Sequence, residues 1–525
     1  MPTICLIIPP SVFLLDERVF MMLGILRVAA VLEKAGWQVE VLDLSGIENY
    51  EEVARLHAGA TPAEIFGITA TTPHLPAARR IIEEIRAARP AARVILGGPH
   101  VTLVNAAAKG ERKRGRVGRA QTALAGLEAM ADILVAGDGE EAIFQAVDPS
   151  KSASPIDADD PVSPLFLNSS RLNELPFPAR HLVDVQSYHY TIEGERALSM
   201  IAQLGCPFSC GFCGGRESPS LRRVRMRTAD NVVAEMVNLQ QAYGVRGFML
   251  YDDELNVNPR MMELMDKIRR AQDHLQVEFR LRGFIKAELF TEEQAAAMYR
   301  AGFRWILVGF ESGAPQILEN INKNATQDDN TRCLKIARDH GLKVKALMSI
   351  GHPGESADTI AETRDWLLRV QPDDFDVSII TTYPGTPYYD HAVPHTDRSG
   401  IWVYTCAKTG DRLYTHDLDY TVVADYYKGD PDGGYHAFLY TDYLSADALV
   451  ELRDRLERDI RARLGIPFNP AAPAIRYEHS MGQSGPLSPE ILRSTHGAAG
   501  LSPGLCSTAG PATARESSPG TREIR

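Results

Sequence analysis

Two series of apolar runs alternating with amphipathic stretches, separated by a Ser-, Asp- and Pro-rich interval, confine this chain to parallel α/β architecture. The first series reads as strand 3–9, helix 22–35 ending at Gly36, strands 39–44 and 65–70, helix 75–89, and strands 93–98 and 133–136. Strands recurring with helices between them form βαβ units, here a doubly wound, Rossmann-like sheet over residues 1–150. Such sheets bind ligands at the loops beyond the strand C-termini. That rule points to 9–11, 69–74, 97–102 and 137–141. Residues 105–130, with a basic run at 111–119, are expected to be an exposed, solvated insertion.

Residues 150–170 are rich in Ser, Asp and Pro and read as a linker, within an interdomain segment at 151–195 whose part 175–190 is expected to pack across both halves. The second series has strands 198–203, 247–251, 278–282, 305–309, 343–350 and 376–381, with helices 229–243, 260–272, 292–301, 326–340 and 356–369 between them. Six βα units in a row predict a partial (β/α)6 barrel over 196–390, with its site at the strand C-termini. Residues 391–480 form an accessory region ending in a charged helix, 446–464. Residues 481–525 lack periodicity and read as a disordered tail. The accessory region holds Tyr404, Tyr414, Tyr420, Tyr426, Tyr427 and Tyr435, which suit either a substrate cap or ordinary packing.

Of 525 residues, 44% are apolar and 24% charged, as in ordinary globular proteins; the net charge of -12 offers no surplus to neutralise phosphates, which argues against a nucleic-acid partner. No stretch is long and apolar enough to span a bilayer. The apolar start is broken by Pro9 and Pro10 and lacks a basic leader, so a cytoplasmic location is the expectation. Seven cysteines, odd in number, do not suggest a disulfide framework.

Three of them, Cys206, Cys210 and Cys213, fall within eight residues after the first barrel strand. Three thiolates this close can wrap one small inorganic centre, and in a four-iron cubane they leave one iron open to an outside ligand. The alternative, a structural zinc ion, wants a fourth Cys or His nearby, and 204–221 contains none. Carboxylates in Asp252, Asp253 and Glu254 follow the second barrel strand and can accept from an ammonium group; helix capping is the other reading. Gly309-Phe310-Glu311-Ser312-Gly313 ends the fourth strand, Gly351-His352-Pro353-Gly354 the fifth, and Tyr383-Pro384-Gly385-Thr386-Pro387 the sixth. Arg222, Arg223, Arg225 and Arg227 suit a solvated face or pairing with acidic groups.

Cys-x3-Cys-x2-Cys after the first strand of a βα barrel resembles the radical S-adenosylmethionine enzymes, over about residues 198–387. The resemblance implies a [4Fe-4S] cluster on Cys206, Cys210 and Cys213, with S-adenosylmethionine chelated at the open iron. It places Phe212 near the adenine, Asp252, Asp253 and Glu254 near the methionine amino group, and Glu311 with Ser312 near the ribose. Gly351 and Pro353 would flank the nucleoside. An acidic triplet replaces the Gly-Gly-Glu usual in that family. Residues 1–185 resemble the cobalamin-binding domain fused to many of these enzymes, through Gly97-Gly98-Pro99-His100-x-Thr102 and Gly137-Asp138-Gly139-Glu140. Cobalamin contacts are accordingly expected at Thr69, Thr71, Gly97, Gly98, Pro99, His100, Gly137, Gly139 and Glu140. The histidines His57, His74 and His100 lack the Asp-x-His-x-x-Gly context that ligates cobalt from below.

Together the resemblances imply a class B methyltransferase: one S-adenosylmethionine methylates reduced cobalamin, a second gives a 5′-deoxyadenosyl radical, and an unactivated carbon of a small molecule takes the methyl group. A flavodoxin or ferredoxin would supply electrons. Rearrangement, cyclisation or oxidation without methyl transfer uses the same barrel motifs, and a non-catalytic corrinoid carrier with a zinc site is the reading from outside the enzymes. Methylthio transfer would call for a second cysteine triplet.

Overall fold

The computed structural model describes residues 1–11, 17–151, 154–423, 436–466 and 506–508. Its first sheet has strands β1 (Thr3–Ile8), β2 (Gln38–Asp43), β3 (Ile65–Thr69), β4 (Arg93–Gly97), β5 (Ile133–Gly137) and β6 (Ile156–Ala158). These lie in the order β2-β1-β3-β4-β5-β6 and pair in parallel. Helices α1 (Leu23–Lys34), α2 (Tyr50–Ala60), α3 (Leu75–Ala88), α4 (Pro99–Lys113), α5 (Arg119–Met130) and α6 (Gly139–Ala146) connect them. The strands are apolar on both faces because helices cover both, as parallel sheets require.

Three expectations change here. Residues 105–130 are not a solvated loop: they are the end of α4, a short turn and α5. Ala107, Ala108, Leu124 and Leu127 are buried, while the turn 112–117 and the outer face of α5 are exposed. Within the stretch read as a linker, Ile156–Ala158 extends the sheet as β6, pairing with β5. Of the presumed tail, Cys506–Thr508 pairs antiparallel with β2 as an edge strand, and the rest lies outside the described residues.

After α7 (Ser169–Glu174), the segment 175–190 does pack across both halves. Ala179, Leu182 and Tyr188 join an apolar cluster running from Leu6 and Leu26 to Leu198 and Met200. The second sheet contains β7 (Thr191–Ile192) and β8 (Glu195–Met200). A two-stranded ribbon, β9 (Gln203–Leu204) with β10 (Arg225–Met226), brackets α8 (Pro219–Arg222). Then follow α9 (Ala229–Tyr243), β11 (Gly247–Leu250), α10 (Met261–Leu275), β12 (Arg280–Phe284), α11 (Glu292–Arg300), β13 (Phe303–Glu311), α12 (Pro315–Ile321), α13 (Gln327–Asp339), β14 (Lys343–Ile350), α14 (Ala357–Val370) and β15 (Asp374–Ile379). The six strands β8 and β11–β15 are parallel and neighbour one another in chain order, giving the curled, partial (β/α)6 barrel, with β7 an antiparallel edge on β8. Local chemistry sets the boundaries: Thr291 with Gln294, Thr326 with Asp329 and Ser356 with Thr359 form capping boxes that start α11, α13 and α14.

After α15 (Pro387–Asp390), the chain forms an antiparallel sheet of β16 (Val393–Pro394), β17 (Ile401–Thr405), β18 (Arg412–His416) and β19 (Leu439–Thr441), then α16 (Ala446–Leu464). Helix α16 covers the open barrel edge. Glu457 Oε1 accepts from Val377 N (2.8 Å), Arg453 Nε donates to Val377 O (2.8 Å), and Arg461 Nη2 donates to Phe375 O (2.6 Å). These side chains serve backbone groups of β15 that a further strand would otherwise pair. No described helix is long and apolar enough to cross a membrane.

Candidate functional site

The C-terminal ends of the two sheets face each other across a cavity of about 420 Å³. Its wall from the first sheet includes Thr69, Gly97, Gly98, Pro99, Gly137, Gly139 and Glu140; its wall from the barrel includes Gln203, Leu204, Gly205, Tyr251 and Asp253. Seven of the residues expected to contact cobalamin are therefore brought together. Gly98 sits at φ 101°, and a Cβ there would lie 2.7 Å from Ala70 N, so only glycine lets the two loops close on one another. Thr71 and His100 are not on this wall. Thr71 Oγ1 bonds His74 Nδ1, and the buried His100 ring bonds Thr72 Oγ1 through Nδ1 (2.9 Å).

Polar side chains at and behind this wall hold it together, and of these Arg27 was not expected from the sequence. Arg27 of α1 stands opposite Glu140 (3.9 Å), whose carboxyl burial pushes upward. Asp138 pairs with Arg225, which also donates to Leu167 O and Ser220 O (both 2.8 Å). Thr102 Oγ1 accepts from Gly137 N (2.9 Å), locking two of the glycine loops together. Arg227 and Arg180 converge on Glu235 with both partners buried. Of the four arginines in the run, Arg225 is thus an interdomain clamp, while Arg227 pairs within the barrel.

The cysteine loop leaves β9 and returns through α8. Burial raises all three thiols, Cys213 to about 12, so an incoming metal must displace protons. Arg216 donates to the carbonyls of Cys206 (3.2 Å), Phe208 and Gly214 and gathers the loop around itself. Gly211 accepts from Tyr388 N (3.1 Å), and a Cβ on it would strike the Tyr388 ring at 2.3 Å. Helix α12, unforeseen from the sequence, covers the loop with Ile317 and Ile321 packed against Cys210 and Phe212. Among the described residues, one set of three ligating side chains has all its donor atoms within 4.8 Å, and it is not this triplet. The three sulfurs as placed are therefore spread more widely than the ligands of one tetrahedral zinc ion, whose bonds to sulfur are about 2.3 Å.

The carboxylates expected near the methionine end divide in role. Asp252 Oδ1 accepts from Ala202 N (2.9 Å) and Gln203 N, tying the ends of β8 and β11 together. Asp253 opens into the cavity. Glu254 Oε2 is buried with no partner, and burial raises its carboxyl to about 7. A buried acceptor without a donor fits an ammonium group.

At the fourth strand, Glu311 takes φ 66° and accepts from Lys323 Nζ (3.0 Å) and Ser349 Oγ (2.8 Å). Ser312 turns away: its hydroxyl meets Thr363 Oγ1 (3.0 Å) and accepts from Ala314 N (3.0 Å), a turn ahead of α12, whose N-cap is Ala314. Phe212 packs edge-on to His352, whose Nε2 meets Ser349 Oγ (2.8 Å) and which burial keeps neutral, at about 3. The Gly351–Pro353 loop is covered from outside: a Cβ on Gly351 would meet Leu439 at 2.9 Å, and Pro353 O accepts from Asn320 Nδ2 (2.8 Å). The accessory sheet therefore closes over the barrel mouth. Tyr404 packs on Tyr388, Tyr414 stacks on Tyr440, and Tyr420 OH donates to Thr382 O (3.0 Å), so these three tyrosines pack. Tyr426, Tyr427 and Tyr435 lie outside the described residues.

Residues 200–367 match the radical SAM superfamily, and residues 19–128 match the B12 binding domain family. The chain is 25% identical over 389 residues to an uncharacterized methyltransferase of Pyrococcus horikoshii, covering 71% of this chain and 78% of that one. It is 25% identical over 376 residues to the anaerobic magnesium-protoporphyrin IX monomethyl ester cyclase of Cereibacter sphaeroides, covering 68% of this chain but only 58% of the cyclase. Its fold is similar to that of the radical S-adenosylmethionine methyltransferase TsrM from Kitasatospora setae, solved with cobalamin and a [4Fe-4S] cluster bound. The TM-score is 0.57 at 20% identity, covering 78% of this chain and 81% of that one.

Proposed function

We propose that this chain, which belongs to the radical S-adenosylmethionine enzymes that carry a B12-binding domain, transfers a methyl group to a carbon of a small-molecule substrate. One observation carries the reading: the glycine loops of the first sheet and the strand ends of the barrel line a single cavity. When bound, the cluster, S-adenosylmethionine and cobalamin supply the electron, the radical precursor and the methyl carrier.

The protein's share is placement and exclusion of water. Cys206, Cys210 and Cys213 hold the cluster in a loop that Arg216 gathers and α12 covers. Glu254 presents Oε2 to the ammonium end of the cofactor and carries a proton up to about pH 7 when nothing is paired with it. Glu311, fixed by Lys323 and Ser349, offers the ribose a carboxylate held in one orientation. Thr69, Gly97, Gly98, Gly137 and Gly139 would hold the corrin through backbone, with the Arg27–Glu140 pair on the same wall. The apolar contacts beneath and the accessory sheet above keep solvent out, where a radical would otherwise be quenched. The reading also calls for a low-potential donor such as flavodoxin or ferredoxin and for a cytoplasmic setting.

The cyclase relative supports a second reading, ring closure without methyl transfer. Anaerobically reconstituted protein, given cobalamin, S-adenosylmethionine and a one-electron reductant, separates them by mass spectrometry. Methyl transfer yields 5′-deoxyadenosine together with cobalamin-dependent S-adenosylhomocysteine, both lost in Cys210→Ala. Ring closure yields the first product alone. Zinc in place of iron and sulfide, with neither product, overturns both and leaves a corrinoid carrier.

A further inference from the structure

A second group of ligating side chains lies in the first domain, on the far face of its sheet from the cavity. Cys5 on β1 and Glu40 on β2 are register partners, so their side chains stand side by side. The next residue, Leu6, faces the other way and lines the cavity. Helix α2 crosses above the pair and sets His57 Nε2 3.5 Å from Cys5 Sγ and 3.2 Å from Glu40 Oε2. All three donor atoms lie within 4.8 Å of one another. The three residues are 0%, 3% and 7% exposed, inside an otherwise apolar cluster with Ile7, Leu42, Val53 and Ala54.

We propose that Cys5, Glu40 and His57 bind one divalent transition-metal ion of the zinc type, as a structural site distinct from the cluster. The separations agree with the chemistry. Metal–ligand bonds of about 2.3 Å to sulfur and about 2.0–2.2 Å to nitrogen and oxygen, at tetrahedral angles, give edges of about 3.6 Å from sulfur to nitrogen and about 3.3 Å from nitrogen to oxygen. The observed 3.5 and 3.2 Å match both. The charges agree as well, since a thiolate and a carboxylate neutralise a divalent ion, and a neutral site suits an apolar surround. Thr61 Oγ1 donates to Glu40 Oε2 (2.6 Å) and itself accepts from Ala63 N (3.1 Å), which orients the carboxylate as outer-shell partners of metal ligands do. Binding releases the thiol proton of Cys5 and ties α2 to the paired strands β1 and β2. No electron transfer is involved.

The test uses the full chain with Cys206, Cys210 and Cys213 all replaced by alanine, so that no cluster competes for metal. After loading with zinc and exhaustive dialysis, mass spectrometry of the metal is expected to find about one zinc per chain. Loading with cobalt(II) is expected to give a thiolate-to-cobalt charge-transfer band. Cys5→Ser and His57→Gln in the same background should drop the zinc at least about tenfold, and the charge-transfer band should disappear. Failure to retain metal in the parent chain, folded by circular dichroism, overturns the site whatever the variants do. Full retention in Cys5→Ser also overturns it, since the metal then lies elsewhere.

Discussion

The pair Asp138–Arg225 ties the first sheet to the cysteine ribbon at the cavity wall, with side chains 8% and 5% exposed. Asp138 Oδ2 accepts from Arg225 Nη1 and from Leu167 N (3.0 Å), and Arg225 has only two neutral carbonyls besides. Asp138→Ala therefore strands a buried guanidinium, at about 3–5 kcal/mol, and orphans the Leu167 N–H, at about 1–3 kcal/mol. Relaxation shares these costs, so about 4 kcal/mol is the expected net loss, a large part of the roughly 5–15 kcal/mol that holds a domain folded. Each kcal/mol moves the midpoint of a 150–250-residue cooperative unit by about 2–4 °C, which predicts a fall of about 8–16 °C in anaerobic thermal unfolding. The double variant Asp138→Leu with Arg225→Met removes both charges and should recover at least about half of that loss. Equal midpoints for the single and double variants would refute the reasoning, since the cost would then lie in packing rather than in an unpaired charge.

Glu457→Ala removes the acceptor of Val377 N and a partner of Arg461, and should cost about 3–5 kcal/mol, seen as a lower thermal midpoint and early proteolysis of α16; a shift under about 1 kcal/mol counts against an edge-covering role. Glu355, 1% exposed, is raised by burial to about 7 from an ordinary 4.5. Its folded state keeps a proton that the unfolded chain releases, so stability is full below about pH 4.5 and falls as pH rises to about 7; Glu355→Gln should flatten the denaturation midpoint over that interval by up to about 1.4 kcal/mol per pH unit. An unchanged slope means the proton resides elsewhere. Glu254→Gln replaces a charged acceptor with a neutral one, and equilibrium dialysis should show S-adenosylmethionine binding weakened by about 10–100-fold; affinity within about threefold of the parent would move the ammonium contact to another side chain.

The strands and helices were legible because buried parallel strands are nearly continuous apolar runs and their helices keep a 3.6-residue period. The cysteine triplet was legible because its chemistry is local in sequence. What escaped depends on partners far along the chain. Helix α5 is rich in alanine with a faint apolar stripe, and Gly110, Gly115 and Gly118 interrupt the stretch before it, so the hairpin with α4 looked like loop. Ser312 and Asp252 sit at the expected strand ends, but only the fold shows that the first bonds Thr363 and Ala314 N and the second ties down Ala202 and Gln203. Arg225 was one of four equivalent arginines until β10 set it against Asp138, 87 residues away. Cys5 and His57, 52 residues apart, meet only because α2, not foreseen, crosses β1.

The two sheets behave as one body, and this decides where ligands must enter. A single apolar cluster runs through both, so parting them would expose core surface at about 25 cal/mol per Å². It would also strand Arg225 from Asp138 and free Asp159 from Ser218 Oγ (2.7 Å), Ser220 Oγ (2.6 Å) and Ser220 N (2.9 Å). The accessory sheet is tied through side chains on loops. Thr441 Oγ1 donates to Glu355 O (2.8 Å), Asn320 Nδ2 and Gln316 Nε2 to the Asp411 carboxylate (3.0 and 3.2 Å), and Thr409 Oγ1 to Asn320 Oδ1 (3.1 Å), while Leu439 packs on Gly351 and Tyr404 on Tyr388. Local opening takes the least costly route, so substrate exchange should pass beneath β17–β19 rather than between the domains. Hydrogen exchange should then reach the amides of β18 and the 351–355 loop well before those of β5 and β8. If β5 and β8 exchange first, the domains hinge apart and the cavity is assembled by its ligands rather than by folding.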